Sequence, residues 1–215
     1  MTKKLLITLS ILTLFANATK ASDNNSATHD EGVVINGIRW ATRNVDMPGT
    51  FAETPESFGM LFQWNRKKAW SAVEEDVEGW DSSICESPVW EKENDPCPEG
   101  WRVPTKEELK CLIRIQLEIH HQDDREGRFR NDQFGRDNWL NGFGVSLNKI
   151  NLPKAGWRDA NGVYHNLTRI GTQANYWSST QDSEGGKWSL FFVRRNLMLR
   201  PLQTAHALSV RCVAK

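Results

Sequence analysis

The chain has 215 residues and a formal net charge of zero, with 27 lysines and arginines against 27 aspartates and glutamates. That balance excludes a nucleic-acid binder that works through a basic stripe, and a polybasic membrane-surface protein. The length fits one domain, long enough to bury a core of its own.

The N-terminus predicts export. Lys3 and Lys4 precede an apolar run, Leu5 to Phe15, and Ala16-Asn17-Ala18 has the small-x-small form of a signal-peptidase site. The run is shorter than the roughly 20 residues that a membrane span needs. No cysteine follows it to carry a lipid, so neither a lipid nor a transmembrane anchor is expected. The pattern predicts a signal peptide over 1–18, cut between Ala18 and Thr19, and a periplasmic, cell-surface or extracellular mature chain. Its loss removes two lysines and no acids, leaving 25 basic and 27 acidic side chains. Residues 19–32 are polar and aperiodic and read as a disordered leader, followed by a single domain over 33–215.

Val33-Val34-Ile35, Asn36-Gly37 and Ile38-Arg39-Trp40 read as a β-hairpin with a type I′ turn. A loop over 46–56 leads to a buried strand within Phe58 to Trp64. Lys67 to Asp95 is an irregular insertion with three tryptophans and the acidic run Glu74-Glu75-Asp76 with Glu78. Thr105 to Glu108 is T-x-x-E, a capping box. Pro104 before it keeps the chain extended, and Leu109, Leu112 and Ile113 follow at helical spacing. A helix is therefore predicted from about 106 to 119. Residues 122–149, with their Arg, Asp, Asn and Gly, read as a long loop. Short strands are predicted at 150–152, 162–168, 176–179, 188–194 and 208–213. One hairpin, one helix and then several antiparallel strands make an α+β domain, the helix packed on small sheets.

Four cysteines remain after export: Cys85, Cys97, Cys111 and Cys212. An even count in an exported chain predicts disulfides, and the residues alone leave three connectivities open. The spacings contain no C-x-x-C element, which argues against zinc or thioredoxin-type redox chemistry.

The segment CPEGWRVPT before the helix resembles the signature of the Fibrobacter succinogenes major paralogous domain, or FISUMP, family. VINGIRWATRN, GMLFQWN, LPKAGWR, YWSST and SVRCV match in the same order, from about Val33 to the C-terminus. The resemblance implies a secreted or surface-exposed bacterial domain, distantly similar to C-type-lectin-like and formylglycine-generating-enzyme folds. It transfers no catalytic residue. Its cysteine pattern implies a Cys97–Cys212 bond, which leaves Cys85 and Cys111 to pair with each other.

Tryptophan is the residue in excess, with ten in the chain. Exposed indoles are the flat platforms on which secreted binders seat sugar rings. Trp40, Trp64, Trp101 and Trp177 sit in strand or turn motifs and are expected in the core. Trp70, Trp80, Trp90 and Trp139 sit in loop-like segments and are the candidate ligand contacts, Trp139 first, because Arg136, Asp137 and Asn138 beside it can bond hydroxyls. His120-His121 with Asp123-Asp124 reads as a solvated helix end, since adjacent histidines diverge by about 100°. Glu74 to Glu78 with Asp81 lacks the alternation and central glycine of a calcium loop. Arg125, Arg128, Arg130 and Arg136 are interleaved with acids and read as a self-neutralised loop. Ser178 and Ser179 lack a nucleophile elbow. The expectation is a non-catalytic module, with no metal or cofactor, that binds a glycan or a surface protein. Its alternatives are a structural subunit of a surface assembly, or a hydrolase or modifying enzyme on the same scaffold.

Overall fold

The computed structural model describes residues 24–118, 129–130, 144–147, 150–165, 173–193 and 196–215. The expected signal peptide lies outside the described residues, as do His120, His121, Asp123, Asp124 and Arg136 to Trp139. The first elements are helix α1 (Asn24–Thr28), then β1 (Val33–Ile35), β2 (Ile38–Trp40), β3 (Leu61–Gln63), β4 (Ala69–Trp70) and β5 (Trp101–Arg102). Helix α2 (Lys106–Glu118) is followed by β6 (Phe129–Arg130), β7 (Gly144–Leu147), β8 (Ile150–Pro153), β9 (Trp157–Arg158) and β10 (Tyr164–His165). The chain ends with β11 (Gln173–Gln181), β12 (Lys187–Val193), β13 (Asn196–Leu202), β14 (Ala207–Leu208) and β15 (Val213–Ala214).

The strands form three sheets, in the orders β1-β2-β15-β5, β10-β9-β14-β3-β4 and β11-β12-β13-β6, with β7-β8 as a separate ribbon. All these ladders are antiparallel. Parallel bridges at Gly156–Ala174 and Tyr176–Ser209 stitch β11 to its neighbours. The expected α+β, C-type-lectin-like arrangement built on a main helix is therefore corrected: the domain is mainly β. Fifteen strands stand against two α-helices and one short 3-10 helix (Lys92–Asn94) among the described residues. The reason is local. Short aromatic and β-branched runs find partners all along the chain, even within segments that read as loops (β4, β6, β7). Helix α2 covers one end of the core through Leu109 and Leu112.

The Asn36-Gly37 turn forms as expected, with φ of 51° and 78°. Those two positive values are what a type I′ turn needs, and they pair Val33 with Trp40. The helix start also forms as expected: Glu108 N–H donates to Thr105 Oγ1 at 3.2 Å, and Thr105 N–H to Glu108 Oε2 at 2.7 Å.

Strand β11 is buried on both faces. Ala174 and Tyr176 join Trp40, Leu112, Leu152 and Leu190 in one cluster. Trp177 joins Trp64, Phe62, Trp101 and Cys212 in a second. The indole N–H groups of Trp64 and Trp177 donate to the carbonyls of Ser178 and Phe62, at 2.9 and 2.7 Å. Trp40, Trp64, Trp101 and Trp177 are thus core residues, as their motifs predicted.

Cys97 and Cys212 are bonded, with Cα atoms 6.1 Å apart. The expected second bridge is absent: Cys85 and Cys111 are free thiols. They are held by different parts of the fold. Cys85 N–H donates to Thr204 Oγ1 at 2.7 Å, on the approach to β14. The Cys111 carbonyl, on α2, accepts from Asn36 Nδ2 at 3.1 Å, at the β1–β2 turn. The end of the polar leader packs on the domain. The buried Asp30 carboxylate accepts from Gly32 N–H at 2.8 Å and Thr42 N–H at 3.0 Å. Phe51 N–H reaches the Ala27 carbonyl at 2.6 Å.

Candidate functional site

An open groove of about 600 Å³ lies between the insertion at Ile84–Glu86 and the β11–β12 turn. The sequence builds the turn around one side chain. Asp182 Oδ1 accepts from Glu184 N–H at 2.9 Å and Gly186 N–H at 2.7 Å, and Gly185 takes a φ of 89°. The insertion is fastened by Lys187, which is buried beneath the groove. Its ammonium donates to the Ser87 carbonyl at 2.7 Å and to Gln181 Oε1, and lies 4.1 Å from the Trp64 ring centroid. Burial pushes the Lys187 pKa below the lysine range, against the opposing pull of Cys85 and Asp182.

The charges in the floor are thus spent on holding the walls. Glu86, Glu184 and Gln203 remain exposed around the mouth, and Ile84 adds an apolar wall at 55% exposure. The groove can bond hydroxyls or amides through Glu86, Glu184 and Gln203 and cover an aliphatic surface at Ile84. Its residues come from segments about 100 positions apart, and of them the sequence marks only Cys85, as a disulfide candidate, and Gly185-Gly186, as a hairpin turn.

Of the tryptophans chosen from the sequence, Trp139 lies outside the described residues, and Trp70, Trp80 and Trp90 lie away from the groove. Trp70 is core, at 3% exposure, with its ring 4.7 Å from that of Trp80. Trp80 is half-buried and donates its indole N–H to the Ala160 carbonyl at 2.9 Å. Trp90 is half-buried against Trp64 and donates to the Asn94 carbonyl at 3.0 Å. Each of these two therefore anchors a loop through its N–H, whichever edge it leaves to solvent. Trp157, which sequence reading passed over, stacks with His165 and His206 at 4.6 and 5.2 Å. His165 Nε2 lies 3.0 Å from Asp159 Oδ2.

The acidic run is organised by an internal cation. Arg158 is fully buried and donates to the carbonyls of Ser71, Glu74, Glu75 and Gly162. Those oxygens are not open to a metal ion. Asp81 binds Arg66 and the Ser83 N–H. No group of three or more metal-ligating side chains occurs among the described residues. Ser178 and Ser179 donate to the carbonyls of Trp188 and Pro104, so both hydroxyls serve the fold.

Neither a curated protein nor a solved structure matches this chain. The C-type-lectin-like similarity thus has no matching structure behind it. The match is to a family model, described as the Fibrobacter succinogenes major domain, over residues 18–214. That span takes in the CPEGWRVPT turn, the capped helix, both cysteines of the disulfide and the groove, and the chain belongs to the Fibrobacter succinogenes major domain family.

Proposed function

We propose that this is an exported, non-catalytic binding module that seats a glycan in the groove between the 84–87 insertion and the β11–β12 turn. The observation that carries the reading is the groove itself: open, about 600 Å³, with polar and apolar side chains side by side in its lining. Sugars present both kinds of surface, and a site that bonds hydroxyls beside an aliphatic wall serves both. Export is supported by the leader pattern over 1–18 and by the Cys97–Cys212 bond, which an oxidising compartment sustains. No helix among the described residues is long and apolar enough to cross a membrane.

The test is a glycan array probed with the oxidised domain, residues 19–215, beside Ile84→Asp and Gln203→Ala. Both side chains are exposed, so both variants keep the wild-type melting temperature. The expected result is a retained glycan class that both variants lose. A bare array, or retention that survives both substitutions, overturns the reading. A retained glycan that is cleaved with time replaces it with a hydrolase, Glu86 and Glu184 being the carboxylates to test first.

A further inference from the structure

The acidic run and Trp80, neither of which belongs to the groove, meet at a second opening. A pocket of about 200 Å³ lies between the acidic loop and the turn after β9, and Glu75, Asp76, Val77, Trp80, Asn161 and Val163 are among its lining. One buried side chain holds both walls: Arg158 Nη1 donates to the Glu75 carbonyl and to the Gly162 carbonyl, each at 3.0 Å. The Trp80 indole N–H ties them again, donating to the Ala160 carbonyl at 2.9 Å. Gly162 has a φ of 85°, and a Cβ there would stand 2.8 Å from Trp80 Cγ and Cδ2. Only the missing side chain lets the indole lie against the turn. The pocket is therefore shaped in the free protein, which spares binding the cost of ordering it.

The charges at its mouth are unspent. Arg158 takes carbonyls of the loop, at Ser71, Glu74 and Glu75, while Glu74, Glu75, Asp76 and Glu78 are exposed. Among the described residues none of these four carboxylates forms an ion pair. The nearby Lys68 is committed elsewhere. Its ammonium donates to the Gly79 carbonyl at 3.2 Å and lies 4.0 Å from the Trp70 ring centroid. Lys68 is thus an internal example of what this loop accepts, an ammonium held by a loop oxygen beside an indole.

The size and lining of the pocket narrow the ligand. Pockets for drug-sized molecules run from about 300 to 1,000 Å³, so this one suits a single side chain better than a sugar chain. Val77, Trp80 and Val163, the last at 53% exposure, supply apolar surface, and Glu75 and Asp76 supply negative charge. Lysine matches both, because its aliphatic stem covers apolar surface while its compact ammonium seeks carboxylates.

We propose that this pocket binds a lysine side chain presented by a partner protein, its stem on Val77, Val163 and Trp80 and its ammonium at the Glu75 and Asp76 carboxylates. None of these residues lines the groove between the insertion and the β11–β12 turn, so this site stands or falls independently of it.

The test is a nitrogen-15 NMR titration of the oxidised domain with Nα-acetyl-lysine methylamide. The matching norleucine amide keeps the stem without the charge, and ammonium chloride supplies the charge without the stem. Millimolar lysine amide should give saturable shifts of the Trp80 indole N–H and the Asn161 side-chain amide, and neither control should. Glu75→Gln combined with Asp76→Asn, both at exposed positions, should keep the wild-type melting temperature and weaken binding about fivefold or more. If the lysine amide moves the two signals no further than ammonium chloride does, the loop only gathers counter-ions and the proposal falls. Equal shifts from the norleucine amide, or undiminished binding in the folded double variant, overturn it as well. Glucosamine is the last arm: tighter binding of this amino sugar than of the lysine amide overturns the protein partner in favour of a glycan.

Discussion

A single carboxylate closes the start of α2 twice. Glu108 accepts from Thr105 N–H, and it also receives the Arg102 fork at 2.8 and 2.6 Å. The first bond was legible as T-x-x-E; the second was not, because nothing in the sequence aims an arginine on β5 at the helix start. Burial alone would raise the Glu108 pKa, but the bonds from Arg102 and Thr105 outweigh it and hold the carboxyl below its ordinary 4.5. With the folded value below the unfolded one, this stability is fully present above about pH 4.5 and is lost as pH falls through the lowered value. Glu108→Gln should therefore flatten the acid limb of a stability-against-pH curve, and a wild-type limb in the variant would refute the linkage. Thr105→Ala should cost about 0.5–2 kcal/mol in urea unfolding. Arg158 was invisible for a different reason: LPKAGWR shows an arginine but not its burial. Arg158→Met strands the carbonyls that it holds and should cost at least about 1–3 kcal/mol, the penalty of one unpaired acceptor. Limited proteolysis should then cut within residues 71–80, and an unchanged digestion pattern would mean that the acidic loop is held by something else.

At the scale of elements, legibility tracked whether local chemistry decides the structure. The Asn36-Gly37 hairpin and the capped helix are decided by their own residues, and both form where expected. Strand β13, NLMLRPL, shows no alternation and contains Pro201, so it did not read as a strand. It pairs with β12 along its whole length, Pro201 opposite Trp188. On its other side, among the described residues, β6 pairs only with Asn196 and Leu197. Pro201 lies past that short partner, where the missing N–H strands no ladder bond. Gly59, in the motif GMLFQWN, is a position where the fold leaves no choice of residue. Its φ is 64°, and a Cβ there would stand 2.3 Å from the Val45 carbonyl oxygen. Gly59→Ala should destabilise by about 1–3 kcal/mol, from the left-handed backbone alone. A midpoint equal to wild type in urea would show that the 45–60 loop can move aside.

At the scale of the molecule, what the sequence could not show is closure. β15 inserts between β2 and β5, so the last strand completes a sheet that the first hairpin began. Pairings between segments that far apart leave no periodicity to read, and the helix, which does, was given too much weight in the expected fold class. The groove was hidden for the same reason, since its walls meet only after the sheets have closed. Cys97–Cys212 fastens this closure across a sequence separation of 115 residues. In the chain-entropy view a loop of that length contributes about 4–5 kcal/mol. Reduction should therefore lower the stability by an amount of that order, measured by urea unfolding with and without reductant. The free thiols give the sharper test. Denatured but unreduced protein should expose two reactive thiols, Cys85 and Cys111, and peptide mapping should find Cys97 linked to Cys212. No reactive thiol under those conditions would restore the second bridge. It would also require the insertion that forms one wall of the groove to leave Thr204 and reach α2.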